Sequence, residues 1–526
     1  MIRMDKLDKV IEVDPSNCTI TAQPGISLTS VHAHLSRYDL AMSNVGSISE
    51  QSLGGCVSSG THGSGISFGS VASQVLDVDV ILASGKKVRC KKGELKGENN
   101  ERLFMATLCG LGTTGVVVRV TLKVEKAFRL REVRELISFE AFEGVTVAAK
   151  DVNGVANGNG IGNGVSHAHG EVKKGGLEEV MASAEHVRIW WYPQSNRVCL
   201  SRSNRTYDPL PLPLPPSSSF TWLHSLSPRT LSRVLETWFW DTFLGHSVLQ
   251  FSYFVGRHFP EVNYYAGLFY SSEAFFRRSL GVGLKAILTI GIGSLWRWRW
   301  RPGKSVSSSR SSPFTHPRTN GITNGHTIKT DSDHHRDHIH PSPTHPTITL
   351  FDVSHKIFNV DCLFPQYTIE YSIPLSNATS CLRDVKKWLD EEHSKKGGLR
   401  PHFPIEVRCS EAEDIWLSPG FGRENCWIGI IVYKPYALPM EHAQLFAHFS
   451  FIMRSHGGRP HWAKTHDFSP VDLHQLYPMF GEFLNVVKEV DPEGMFRNEY
   501  VKRHLYGEGG EGEKDAVGLE VFRKDV

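Results

Sequence analysis

Residues Gly54 to Gly65 read GGCVSSGTHGSG, a glycine-rich run that is either a phosphate cradle or a flexible turn. It lacks the G-x-x-x-x-G-K-[ST] order of a P-loop, so nucleotide hydrolysis is disfavoured. It also lacks G-x-G-x-x-G after a strand, which leaves a doubly wound dinucleotide fold unsupported. What remains is a set of backbone N–H groups free to converge, flanked by the hydroxyls of Ser58, Ser59 and Thr61. Such a nest can hold a pyrophosphate without a lysine. On composition alone a flexible structural turn outweighs the nest.

Outward from that run, residues 1–125 read as short strands with few helices. CTITAQPGISL (Cys18–Leu28) is a strand that ends at a Pro-Gly turn. SLTSVHAHLSRYDL (Ser27–Leu40) places Leu28, Val31, Leu35 and Leu40 near one helical stripe. VLDVDVILASGKKVRC (Val75–Cys90) alternates and turns at Ser84-Gly85, a hairpin signal. GTTGVVVRVTLKV (Gly112–Val124) closes the first unit with a β-branched strand. Later, IEVRCS (Ile405–Ser410) and CWIGIIVYK (Cys426–Lys434) read as strands, and HAQLFAHFSFIMRSHG (His442–Gly457) as a helix stopped by Gly457-Gly458.

The 526-residue length exceeds one ordinary core and implies two domains. Hydrophobic residues at 40% and charged residues at 21% suit a globular chain, and a net charge of +3 argues against a nucleic-acid partner. The cysteines contain no C-x-x-C, which disfavours zinc ribbons and dithiol redox motifs; most are expected to be buried thiols. No metal site is expected. The His-rich stretch within Arg301–Thr347 reads as a solvated linker rather than a ligand set, and NGVANGNGIGNG (Asn153–Gly164) cannot build a core. SLGVGLKAILTIGIGSLWRWRW (Ser279–Trp300) fits either an interfacial membrane segment or a buried helix with a basic, aromatic end. Met1–Asp14 shows no secretory pattern and reads as strand and turn already inside a domain, so the chain is expected to begin part-way through a fold.

Two further stretches carry chemistry. In PIEVRCS (Pro404–Ser410), strand alternation puts Ile405, Val407 and Cys409 on one face and Glu406, Arg408 and Ser410 on the other. A carboxylate beside a guanidinium can bind a polyol by accepting and donating in turn. A solvent-facing ion pair is the blander reading and, from these residues alone, the better one. GGRPHWAKTH (Gly457–His466) places Lys464 and two histidines behind a Gly-Gly-x-Pro break. It reads as an exposed turn or as a cation able to stabilise charge developing on a reduced flavin.

Taken together, NVGSISEQSLGGCVSSGTHGSG (Asn44–Gly65), LGTTGVVVRVTL (Leu111–Leu122), VRIWWYP (Val187–Pro193), PIEVRCS, GGRPHWAK and VDPEGMF (Val490–Phe496) resemble the sugar-1,4-lactone oxidases. These belong to the vanillyl-alcohol-oxidase flavoprotein superfamily, and the likeness is strongest to its fungal D-arabinono-1,4-lactone-oxidising members. The resemblance implies an α+β, two-domain, PCMH-type fold. Residues 1–127 would be an FAD-binding domain lacking its first βα subdomain. Residues 128–505 would be a substrate domain on an antiparallel sheet with helices, carrying insertions at 151–175 and 301–347, and 506–526 a flexible tail.

It further implies that Ser47, Ser52, Gly55, Ser59, Gly60, Thr61, His62 and Val117 contact FAD, and that Ser47, Glu406, Arg408 and Lys464 arrange the substrate. The expected reaction is oxidation of a sugar lactone at its C2 hydroxyl, with oxygen as acceptor and hydrogen peroxide as co-product. A flavin-dependent polyol oxidase, a lactone dehydrogenase and an inactive membrane-associated relative are the rival expectations. Location at the mitochondrial outer membrane is implied by resemblance only. Relatives carry a GSGHS-like loop, often with the histidine bonded covalently to FAD, before the position of Met1. The GHS at Gly245–Ser247 reads as coincidence. A lost first exon and weak FAD binding by the chain as it stands are therefore expected.

Overall fold

The computed structural model describes residues 3–93, 100–143, 177–207, 245–272, 347–359, 365–402 and 404–508. Asn153–Gly164, Ser279–Trp300 and the His-rich stretch lie outside those residues. In chain order the strands are β1 (Val10–Asp14), β2 (Thr19–Ala22), β3 (Leu40–Ala41), β4 (Val75–Ile81), β5 (Lys87–Lys91), β6 (Val116–Lys123) and β7 (Glu125–Lys126). They continue as β8 (Arg129–Ser138), β9 (His186–Tyr192), β10 (Arg197–Thr206), β11 (Thr347–Val353), β12 (Gln366–Pro374), β13 (Ile405–Ser410), β14 (Asn425–Tyr433) and β15 (Arg459–Pro460).

Two antiparallel sheets carry the chain, and helices cover them, as expected of an α+β protein. The first has the order β1-β2-β6-β4-β5 and the second β11-β8-β10-β9-β13-β14-β12-β15; β3 and β7 form a small pair. The Ser84-Gly85 turn connects β4 and β5 as a hairpin, with Gly85 at φ +80°, where a side chain would be strained. Alternation in VLDVDVI sends Asp77 and Asp79 to one face, where Arg119 of β6 reaches both.

The glycine-rich run is not a loop throughout. Leu53–Ser59 is a two-turn helix whose first turn is capped by Ser52, which accepts the Gly55 N–H at 3.3 Å. Leu53, Cys56 and Val57 are buried at helical spacing, and Gly60 ends the helix in the left-handed region at φ +70°. The chain then crosses to the second sheet. Gly65 N–H donates to Cys409 carbonyl at 2.9 Å, Glu411 N–H to Phe68 carbonyl at 3.1 Å, and His186 Nδ1 lies 2.6 Å from Ser64 carbonyl. A second tie runs from Arg102 to Glu482 and Glu489 on helix Phe480–Val490. Among the described residues no helix is long and apolar enough to cross a membrane.

Burial pushes the imidazoles of His32, His402 and His461 down to about 3, so they sit neutral in the core. In an unfolded chain each takes a proton below about pH 6.5. Unfolding therefore absorbs protons, and stability falls as pH drops from that value towards 3, by about 1.4 kcal/mol per pH unit for each histidine. Thermal melts between about pH 7 and 5 are expected to show a steadily falling midpoint. A flat midpoint across that window contradicts the burial.

Candidate active site

Strand β13 brings the carboxylate and guanidinium to one face, as its alternation requires. Val407 and Cys409 enter the core, while Glu406 and Arg408 line a cavity of about 190 Å³. Register sets Glu370 of β12, Gly429 of β14 and Glu406 of β13 abreast, with Trp190 of β9 beyond. Gly429 keeps the floor between the two carboxylates open, because a Cβ there would lie 3.3 Å from Glu370 Cγ.

The segments flanking the capped helix form the facing wall, with Ser47 before the helix and Thr61 and His62 after it. His62 is fully buried and stacks on Trp427, with ring centroids 3.7 Å apart and planes 10° from parallel. Its Nε2 lies 3.3 Å from Glu370 Oε1. The same carboxylate oxygen accepts from Arg408 Nη2 at 2.7 Å. Arg408 also donates to Ser47 Oγ at 3.3 Å and stands 3.4 Å from Glu406 Oε2.

Burial alone would raise the Glu370 carboxyl, yet Arg408 and the adjoining histidines hold it well below the usual carboxylate range. Burial likewise opposes the Arg408 charge, but Glu406 and Glu370 overcome it and raise the group. The His62 imidazole is pushed down by burial and by Arg408, which favours its neutral form. His461 accepts the Ala463 N–H on Nδ1 at 3.0 Å, so its own proton resides on Nε2.

Lys464 reaches the cavity from a tightly tied loop. His461 N–H donates to Glu370 carbonyl at 3.0 Å and Thr465 N–H to Thr368 carbonyl at 3.2 Å. Trp462 Nε1 donates to Leu417 carbonyl at 2.6 Å, and Tyr500 hydroxyl to Trp462 carbonyl at 2.9 Å. Lys464 makes no ion pair among the described residues. The ligand atoms of His62, Glu370 and His461 lie within 4.8 Å of one another. That spread is wide for one ion with ligands about 2.0–2.2 Å away, and Arg408 already takes the carboxylate.

Of the residues singled out from sequence, Ser47, Thr61, His62, Glu406, Arg408 and Lys464 line this cavity together. Ser52, Gly55, Ser59 and Gly60 lie outside its wall, in and around the capped helix, where Ser59 Oγ donates to Gly55 carbonyl at 2.8 Å. Val117 lies on β6, buried. Sequence reasoning missed Glu370, His461 and the Trp427 stack. The signal for Glu370 was present, as the lone charge in the apolar alternation YTIEYSI (Tyr367–Ile373).

The family profile of the D-arabinono-1,4-lactone oxidases matches residues 172–285 and 335–504, more than half of the chain. The chain belongs to that family. An FAD binding domain profile matches residues 1–91. The chain is similar to the L-gulonolactone oxidase of Scyliorhinus torazame, 27% identical over 510 residues, with 96% of this chain and 85% of that protein covered. It is also similar to the D-arabinono-1,4-lactone oxidase of Yarrowia lipolytica, 24% identical, with 88% and 75% covered. In fold it is similar to the crystal structure of a B. sterolicum cholesterol oxidase, with TM-score 0.58 at 13% identity, covering 96% of this chain and 84% of that one. The protein is thus an oxidoreductase of the aldonolactone oxidase family with an FAD-binding domain of PCMH type.

The cavity wall offers unsatisfied polar groups that suit a bound flavin. The N–H groups of Gly46, Ser47 and Ile48 donate to no protein acceptor among the described residues, and all three residues line the cavity. Thr61 Oγ1 is buried there with no nitrogen or oxygen partner, only the weak Cys56 thiol beside it. Unsatisfied donors and hydroxyls of this kind call for a polar ligand. The family segment stands close to the second sheet because Gly65 has no side chain. It lies at φ +122°, and a Cβ would meet Glu185 carbonyl oxygen at 2.6 Å and Phe68 Cδ2 at 2.7 Å. Gly65→Ala is expected to destabilise the protein by about 1–3 kcal/mol in urea unfolding and to lower flavin retention. An unchanged midpoint contradicts this docking.

Proposed function

We propose that the protein oxidises D-arabinono-1,4-lactone, or a related aldono-1,4-lactone, at the C2 hydroxyl with oxygen as electron acceptor. The observation carrying this reading is the meeting of Glu406, Arg408 and Lys464 with Ser47 and His62 around one small cavity. Bound FAD supplies the hydride-accepting chemistry. Glu406 accepts the C2 hydroxyl hydrogen and receives its proton, while Arg408 donates to neighbouring substrate oxygens. Such alignment supplies much of the rate in a two-substrate step. Lys464 holds a fixed positive charge where negative charge develops, which the neutral His461 cannot do.

Ser47, Thr61 and His62 border FAD at the cavity in this reading. Ser52, Gly55, Ser59 and Gly60 shape the adjoining helix, and the backbone at Val117 backs the cofactor. Loss of a hydride from C2 and a proton from its hydroxyl gives the 2-keto lactone, which tautomerises to an ascorbate-type ene-diol. Oxygen takes up the two electrons and two protons as hydrogen peroxide. The L-gulonolactone oxidases among the relatives make L-gulono-1,4-lactone the second substrate to assay.

Anaerobic mixing of the flavin-loaded protein with D-arabinono-1,4-lactone is expected to bleach the flavin, and air to restore it with release of peroxide. No bleaching by either lactone contradicts the reading, and reoxidation by cytochrome c but not by air would make the protein a dehydrogenase. Lys464→Ala and Arg408→Ala are each expected to cut turnover on the order of 100-fold, the Lys464 variant with its melting midpoint unchanged and the Arg408 variant with a lowered one. Near-normal turnover in both removes these roles.

A further inference from the structure

Glu370 has no part in the chemistry just described, yet the site is built around it. Across the sheet the charges alternate. Arg188 Nε lies 3.7 Å from Glu406 Oε1, Glu406 Oε2 lies 3.4 Å from Arg408, and Arg408 Nη2 lies 2.7 Å from Glu370 Oε1. Side chains of Arg188, Arg408 and Glu370 are all less than a tenth exposed, whereas that of Glu406 is 27% exposed. The two positive and two negative charges cancel, so loss of any one leaves the buried group with a net charge. His62 and His461, both disposed to be neutral, and the Lys464 loop complete the surroundings of Glu370.

A guanidinium presents two parallel N–H bonds that match one carboxylate. With Glu406 as its sole anionic partner, Arg408 would settle onto both Glu406 oxygens and occupy the group that must receive the substrate proton. The observed contacts are unequal, shorter to Glu370 and longer to Glu406. We propose that Glu370 is a positioning residue that holds Arg408 off Glu406, leaving the Glu406 carboxylate without a guanidinium hydrogen bond and open to the substrate hydroxyl. The proposal rests on the lactone-oxidase reading for its consequence in turnover, though not for the geometry itself.

The test is E370Q, which keeps the shape and removes the charge, in the native and R408K backgrounds of the flavin-loaded protein. A crystal structure of E370Q is expected to show Arg408 paired with both Glu406 oxygens; an unmoved Arg408 overturns the proposal. The limiting rate of anaerobic flavin reduction by lactone is expected to fall on the order of 100-fold, with flavin content unchanged. In R408K, which has no guanidinium fork to hold, E370Q is expected to cost less than about threefold. An equal loss in both backgrounds overturns the proposal and leaves Glu370 a purely structural charge. Failure of the unsubstituted protein to be reduced by lactone sinks the lactone reading instead, and the crystal structure still decides the role of Glu370. Should E370Q not fold, E370D draws the charge back by one methylene. It is then expected to move Arg408 and to lose rate only when Arg408 is present, and native geometry with native rate overturns the proposal.

Discussion

A guanidinium is buried only against carboxylates and hydrogen-bond acceptors that replace its water, and Arg408 is buried against two carboxylates. That requirement binds separate parts of the chain to one place. Glu370 must stand across β14 from Glu406, which fixes the register of three strands. A Cβ at Gly429 would press on the Glu370 side chain at 3.3 Å, so glycine suits the place between them. Ser47 must approach from the N-terminal region to accept from Arg408 at 3.3 Å. Leaving one member without its partner typically costs about 3–5 kcal/mol, so the network disfavours other registers more than it adds net stability.

The second constraint is the seam between the sheets. His62 belongs to the N-terminal segment yet stacks on Trp427 of the second sheet, and Gly65 hydrogen-bonds to β13 one residue beyond Arg408. The Ser47–His62 wall of the cavity and the Glu406–Arg408 wall are therefore held together by adjacent main-chain bonds. A shift in either segment displaces both. Tyr500, from near the C-terminal end of the described chain, secures the loop that presents Lys464.

Local elements were legible wherever the pattern was local. The Val75–Lys91 hairpin, the alternation of IEVRCS and the Ala443–Ser455 helix each follow from spacing and turn residues within a few positions. The Leu53–Ser59 helix was obscured by its glycines, although Ser52 and the buried Leu53, Cys56 and Val57 spell a capped helical face. The Glu406–Arg408 pair read as solvent-facing because its burial comes from distant partners. Glu370 lies 38 residues from Arg408 in sequence, and the covering loop near His461 is more remote still. Alternation assigns a face to a side chain, but it does not say what packs against that face. Family resemblance, rather than local pattern, marked the pair as functional.

In the proposed reaction Glu406 holds the C2 hydroxyl and Arg408 the neighbouring substrate oxygens, in the cavity that Lys464 and Gly46–Ile48 also line. A crystal structure of the flavin-loaded protein with a bound aldono-1,4-lactone tests it most directly. The C2 hydroxyl oxygen is expected within hydrogen-bond reach of Glu406, with Arg408 donating to the substrate and still paired with Glu370. A lactone seated outside this cavity, or one whose C2 hydroxyl touches neither residue, would contradict it.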